Sequence, residues 1–153
     1  MTNLIGEYEC KVDAKGRLLV PSSLRKQFSP AAEGRFFVKR GIENCLELYQ
    51  KHDWETVSEK VSSLNQFVKK NRVFARKFIS GATQLELDAV GRINIPKNFL
   101  EYAGIGKELV LFAYGNKIEI WDKETYNNEL EMSDGDFADL AEDVMGDLND
   151  AVE

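Results

Sequence analysis

Apolar and polar positions alternate along several short stretches of this chain, with the period of a strand that buries one face. Tyr8–Val12 and Thr83–Leu87 both read this way, and each predicts a short strand. A tight loop follows, with Gly16 in one case and Gly91 in the other, at a position where a positive φ is expected. A second strand is predicted over Arg17–Val20 and over Arg92–Ile95. Each ends at a proline, Pro21 or Pro96, which has no N–H to give to a ladder. Short helices are expected over Ser22–Phe28 and Lys97–Ala103. Two hairpins complete the pattern. One joins Phe36–Lys39 to Leu46–Tyr49 through Gly41–Asn44, and the other joins Leu109–Ala113 to Ile118–Trp121 through Tyr114–Lys117.

The second set of elements repeats the first. Cys10–Pro21 aligns with Leu85–Pro96 at an offset of 75, with Asp, Ala, Gly, Arg and Pro identical. Cys45–Tyr49 aligns with Lys117–Trp121 at an offset of 72, which places Trp54 opposite Tyr126. Four short strands can hardly bury a core alone, so the two halves are expected to share one. The fold class is therefore mostly β with peripheral helices (α+β), a duplicated barrel with pseudo-twofold symmetry. The expected organisation is a first module over 7–53, a helical linker over 54–81, a second module over 82–125 and an acidic helical tail over 126–153.

In the linker, Asp53 is expected to cap a helix whose Trp54, Val57, Val61 and Leu64 recur at helical spacing. A second helix, Gln66–Ile79, sets Phe67, Phe74 and Phe78 on an apolar side and carries Lys69, Lys70, Arg72, Arg76 and Lys77. These charges suit a phosphate-facing helix, a merely solvated face, or a surface for the acidic tail. In the tail, Phe137, Leu140, Ala141, Val144 and Leu148 form one helical stripe, with Ser133 as a candidate cap. Such a helix is expected to dock on its own chain or on a neighbour.

Charge changes the picture more than composition does. The net charge is −6, yet Glu131–Glu153 holds nine acidic residues and no Lys or Arg. The remaining 20 basic and 17 acidic residues leave +3, and residues 1–40 alone carry +4. A basic binding face is expected from that asymmetry. No apolar run approaches the roughly 18 residues of a bilayer span, and the first ten residues lack the charged and apolar regions of a leader. The expected location is the cytoplasm, with no membrane partner. Cys10 and Cys45 have neither CxxC nor disulfide-framework spacing and are expected to be buried free thiols. One histidine, His52, and no metal-binding or phosphate-loop motif argue against an enzyme. No catalytic residue, metal, cofactor or small-molecule substrate is expected.

The repeated loop carries the candidate chemistry. In Asp13-Ala-Lys-Gly-Arg17, the aspartate can accept backbone N–H bonds across the turn and hold the guanidinium. An arginine fixed in this way can present its fork to phosphate or to guanine. The competing reading is a clasp that only stiffens the turn. A single such loop is a weak signal; two inside the same apolar frame form a strong one.

Val12–Pro21, Cys45–Trp54, Arg76–Ala82, Leu87–Pro96 and Asn116–Trp121 together resemble the MraZ family, whose members carry two tandem swapped-hairpin modules of the AbrB type. The resemblance covers almost the whole chain apart from the acidic tail. It implies a transcriptional regulator, associated with the nucleoid, that binds short DNA repeats upstream of the division and cell-wall genes. It also implies homo-oligomeric rings. Carried onto this sequence, it places Asp13, Arg17, Asp88 and Arg92 in DNA recognition. Related modules use a basic pair after the proline helix, matched here by Arg25 and Lys26. Leu100 and Glu101 occupy that place in the second half, so weaker DNA contact is expected there. The expected DNA-binding set is Arg17, Lys15, Arg25, Lys26 and Arg92; the expected structural residues are Asp13, Gly16, Asp88 and Gly91. Partners are double-stranded DNA and further copies of the chain. The alternative is an oligomeric scaffold of the same fold that does not read DNA, against which stands the cluster of Lys11, Lys15, Arg17, Arg25 and Lys26.

Overall fold

A computed structural model describes residues 2–152, with side chains as far as residue 146. It contains two compact units, residues 1–123 and residues 124–153. Among the described residues, no helix is long and apolar enough to cross a membrane.

In the first unit the strands are β1 (Leu4–Lys11), β2 (Arg17–Leu19), β3 (Arg35–Arg40), β4 (Leu46–Gln50), β5 (Thr83–Glu86), β6 (Arg92–Asn94), β7 (Glu108–Gly115) and β8 (Lys117–Asp122). Helices α1 (Ser22–Arg25), α2 (Lys51–Ser62), α3 (Lys69–Ile79) and α4 (Lys97–Tyr102) lie between them. Six strands form a sheet in the order β1-β7-β8-β4-β3-β5, and β2 pairs with β6 in a separate ribbon. Every pairing is antiparallel.

That order expresses the sequence repeat. The hairpins β3–β4 and β7–β8 meet at the centre through β4 and β8. The first strand of each half is given away: β1 pairs with β7 of the second half, and β5 pairs with β3 of the first. The two edge strands then turn through the glycine loops into the β2–β6 ribbon, which ties the halves together again. The duplicated α+β architecture with swapped strands is therefore present.

Core positions match across the halves. Leu18, Val20, Leu24, Leu46 and Leu48 and their counterparts Ile93, Ile95, Phe99, Ile118 and Ile120 are nearly fully buried in one cluster. The central strand pair also buries charge. Glu47 and Glu119 stand opposite each other in the β4–β8 register. Lys39 Nζ lies 3.3 Å from Glu47, and Lys117 Nζ lies 3.5 Å from Glu47 and 3.9 Å from Glu119. Tyr49 donates its hydroxyl to Glu47 at 3.3 Å and Trp121 its indole N–H to Glu119 at 3.0 Å, again related by the repeat. Burial alone would lower the Lys117 pKa, but Glu47 and Glu119 beside it raise it overall. Two carboxylates facing each other inside a sheet require this flanking positive charge.

Several local expectations change. β1 starts at Leu4 rather than Tyr8, because β7 is long enough to pair with it back to Gly115. Asp53 does not cap α2. The helix begins at Lys51, directly off β4, and Asp53 lies buried in its first turn, accepting from Gln50 Nε2 at 3.5 Å. α3 begins at Lys69, and Phe67 is 96% exposed rather than part of its apolar side. Cys10 is only half-buried, since edge strand β1 has a neighbour on one side alone; Cys45 is buried as expected.

The second unit holds α5 (Lys123–Leu130), which starts at the last residue of the first unit, and α6 (Asp134–Val152). Ser133 caps α6, its hydroxyl accepting from the Asp136 amide at 3.1 Å. Phe137, Leu140 and Val144 form the expected stripe and are exposed; the side chain of Leu148 lies outside the described residues.

Candidate nucleic-acid interface

Each glycine loop is organised around its aspartate. Asp13 Oδ1 accepts from the amides of Lys15 and Arg17, both at 2.9 Å, and Oδ2 accepts from Arg17 Nε at 2.7 Å. Asp88 Oδ1 accepts from the amides of Val90 and Gly91 at 2.9 Å and of Arg92 at 2.8 Å, and Oδ2 from Arg92 Nε at 3.0 Å. The Arg17 amide and guanidinium hold the Asp13 carboxyl below its ordinary pKa. The Arg92 amide does the same for Asp88, partly opposed by desolvation and reinforced by the Arg92 guanidinium. In both loops the aspartate takes the Nε–H, and among the described residues the two terminal nitrogens keep no hydrogen-bond partner. The clasp therefore engages only one edge of each guanidinium.

The loops brace each other. Gly16 has φ +83° and Gly91 φ +98°. The Gly16 carbonyl accepts from the Ile95 amide at 2.8 Å, and the Gly91 carbonyl from the Val20 amide at 2.9 Å. Each loop is therefore fixed by the end of the other half's ribbon strand.

The ribbon sets the direction of the side chains. Arg17 pairs with Asn94, Leu18 with Ile93 and Leu19 with Arg92. Leu18 and Ile93 point into the core, and alternation turns Arg17, Leu19, Arg92 and Asn94 to the opposite face. Arg17 and Arg92 thus share one face, on neighbouring strands, with side chains 44% and 40% exposed. Leu19 and Asn94 belong to this face although sequence reading passed them over; the period of two counted from each arginine marks them.

The swap also reassigns Arg25. Reading along the chain groups it with the first loop. In space its Nε donates to the Val20 carbonyl at 2.9 Å and its Nη1 reaches the Val90 carbonyl at 3.5 Å, against Gly91 of the second loop. The first half thus supplies positive charge to the second half's loop. Lys15 is exposed within the first loop, and Lys26 is exposed at the end of α1. Leu100, at the counterpart of Arg25, packs against the core, and Glu101 lies 3.9 Å from Lys97.

Other reactive groups lie apart from this face. His52 Nε2 is 3.1 Å from Thr2 Oγ1 and 3.6 Å from Asp53. Burial pushes the Cys10 thiol up to about 11. Burial, with Glu119, Glu47 and Glu43 nearby, pushes Cys45 up to about 12. Neither is an activated nucleophile. Glu43, Cys45 and Glu119 offer ligand atoms within 4.8 Å of one another, but Glu119 is already held by Trp121 and Lys117.

Comparison with known proteins agrees with the duplication. The family model described as "MraZ protein, putative antitoxin-like" matches twice, over residues 4–77 and 78–147. A protein of Christiangramia forsetii named transcriptional regulator MraZ is 52% identical over 147 residues, covering 95% of each chain. A protein of the same name from Flavobacterium psychrophilum is 47% identical over 151 residues, covering 98% of this chain and 96% of its own. The solution structure of PHS018 from Pyrococcus horikoshii aligns over 76% of this chain and 87% of its own with 17% identity and a TM-score of 0.29, too low to carry an argument. Matched in both halves and about half identical to these relatives over nearly its whole length, the chain belongs to the MraZ family.

Proposed function

We propose that the protein is a DNA-binding transcriptional regulator that acts as a homo-oligomer on short repeated sites upstream of division and cell-wall genes, in the cytoplasm at the nucleoid. The observation that carries this reading is the shared outward face of Arg17 and Arg92 on the β2–β6 ribbon. A two-stranded ribbon fits the major groove. Strand spacing puts the two arginine Cα atoms roughly 8 Å apart, within one groove width. Each fork is pre-oriented by its aspartate, which reduces the ordering that binding requires. Arg17 and Arg92 read bases, Lys15 and Lys26 contact phosphates, and Arg25 holds the second loop while adding positive charge to it. The names of the relatives support a role in transcription rather than catalysis. In an oligomer, weak single contacts add through effective concentration, which favours spaced repeats as targets.

The test is binding of the full chain to double-stranded DNA from upstream of its own gene, titrated with salt. Phosphate contacts produce a linear log–log decline of affinity. Absence of binding at low salt overturns this reading and leaves the assembly scaffold in its place.

A further inference from the structure

Helix α3 is an eleven-residue helix in which no residue is buried. Its Trp54-facing end is covered, because Phe78 stacks on Trp54 with ring centroids 6.3 Å apart. Beyond Phe78 an open groove of about 420 Å³ runs between α3, the β3–β4 turn and α4. Its walls combine apolar and basic groups: Ile42 (79% exposed), Phe74 (48%) and Tyr102 (39%), with Arg40 and Lys77. Lys39 Nζ sits 4.2 Å from the Phe78 ring at its floor. Lys70, one turn before Phe74 and exposed, extends the positive charge along the same side of α3.

Helix α6 has the opposite character. Phe137 (63% exposed), Leu140 (45%) and Val144 (55%) form an apolar stripe, bordered by Asp136 and Asp143, and no Lys or Arg occurs after Lys123. An apolar stripe bordered by acids is the complement of an aromatic groove bordered by bases.

We propose that the groove beside α3 receives α6 of a second copy of this chain. The proposal rests on the homo-oligomer reading above and names its contact. Leu140 and Val144 fill the space over Phe74 and Ile42, and the bordering carboxylates of Asp136 and Asp143 face Lys77 and Arg40. Each chain carries one groove and one helix, so the contact joins unlike surfaces and can close copies into a ring, or be made twice in a pair that exchanges helices about a twofold axis. It leaves the β2–β6 face free. Since its rim is ionic, the contact weakens with salt.

The test is sedimentation of full-length charge-swapped chains at low salt. Arg40 and Lys77 line the groove and Asp136 and Asp143 border the stripe, and all four are exposed, so Arg40→Glu/Lys77→Glu and Asp136→Lys/Asp143→Lys should both fold, with far-UV dichroism as the check. Each swapped chain alone should lose the assembled species and sediment as a single chain. An equimolar mixture of the two should regain it, because each groove then meets a tail of opposite charge. If the wild-type chain is itself monomeric, the oligomer reading fails and this contact with it. If the wild type assembles and either swap leaves its mass unchanged, the contact is overturned while the oligomer stands. If the mixture stays dissociated and only the chain carrying all four changes assembles, α6 docks on its own chain and the proposal is overturned.

Discussion

Replacing each loop glycine by alanine separates two roles that the repeat makes look identical. At Gly16 the backbone φ is +83°, and an added Cβ overlaps the carbonyl oxygen of Ile95. The left-handed conformation costs a residue with a Cβ roughly 1–2 kcal/mol. The overlap is with main chain, so relief requires the loop to part from β6, loosening the Ile95 amide bond to Gly16 at 2.8 Å, worth about 1 kcal/mol. Gly16→Ala should therefore destabilise by about 2–3 kcal/mol. At Gly91 φ is +98°, but the added Cβ meets the guanidinium of Arg25, the far end of a flexible side chain. Arg25 can swing out, exchanging its bonds to the Val20 and Val90 carbonyls for bonds to water, so Gly91→Ala should cost only about 1–2 kcal/mol. Urea unfolding at matched protein concentration, analysed with a common slope, measures the difference. Equal costs, or a larger cost at Gly91, would refute the account of how the loops brace each other.

Further predictions concern the network and the loops. Glu47→Gln leaves Lys39 and Lys117 without their shared carboxylate charge beside a 3%-exposed ammonium, and should cost about 3–5 kcal/mol; an unchanged thermal midpoint would show that the pair is solvated. The Asp13 and Asp88 carboxyls titrate below their ordinary value of 3.8. Their contribution to the loops is therefore complete above that pH and is lost as pH falls through the lower folded values. The Arg17 and Arg92 Nε resonances should stay constant from neutral pH down to about pH 5 and move only below 3.8; movement near pH 6 would contradict the clasp. Lys15→Ala and Lys26→Ala should weaken binding to all DNA sequences alike and flatten the salt slope by about one each.

Much of this was legible in the sequence because each repeat unit keeps the physical necessities of its position. Gly16 and Gly91 are both required by positive φ, Asp13 and Asp88 by the turn amides, and Leu18 and Ile93 by the shared core. The destination of each element was not legible in the same way. Alternation identifies β1 and β5 as strands but says nothing about which hairpin each joins. Sequence order for that reason groups Arg25 with the loop beside it, although it lies against the loop brought from the other half. The start of α2 differs from the sequence expectation because Gln50 leaves the strand and enters the helix without a spacer, so an aspartate three residues later resembles a cap. Phe67 follows the helical spacing of Phe74 and Phe78 but precedes the helix.

The central claim is that the β2–β6 ribbon reads DNA through arginines held by their aspartates. Its most direct test compares wild type with Arg17→Ala on two duplexes, one from upstream of the chain's own gene and one unrelated, by fluorescence anisotropy at fixed salt. The account predicts an unchanged thermal midpoint, little change on the unrelated duplex and a loss on the cognate one of about 1–3 kcal/mol per subunit contact. A folded Arg17→Ala protein that keeps its full preference for the cognate duplex would contradict it.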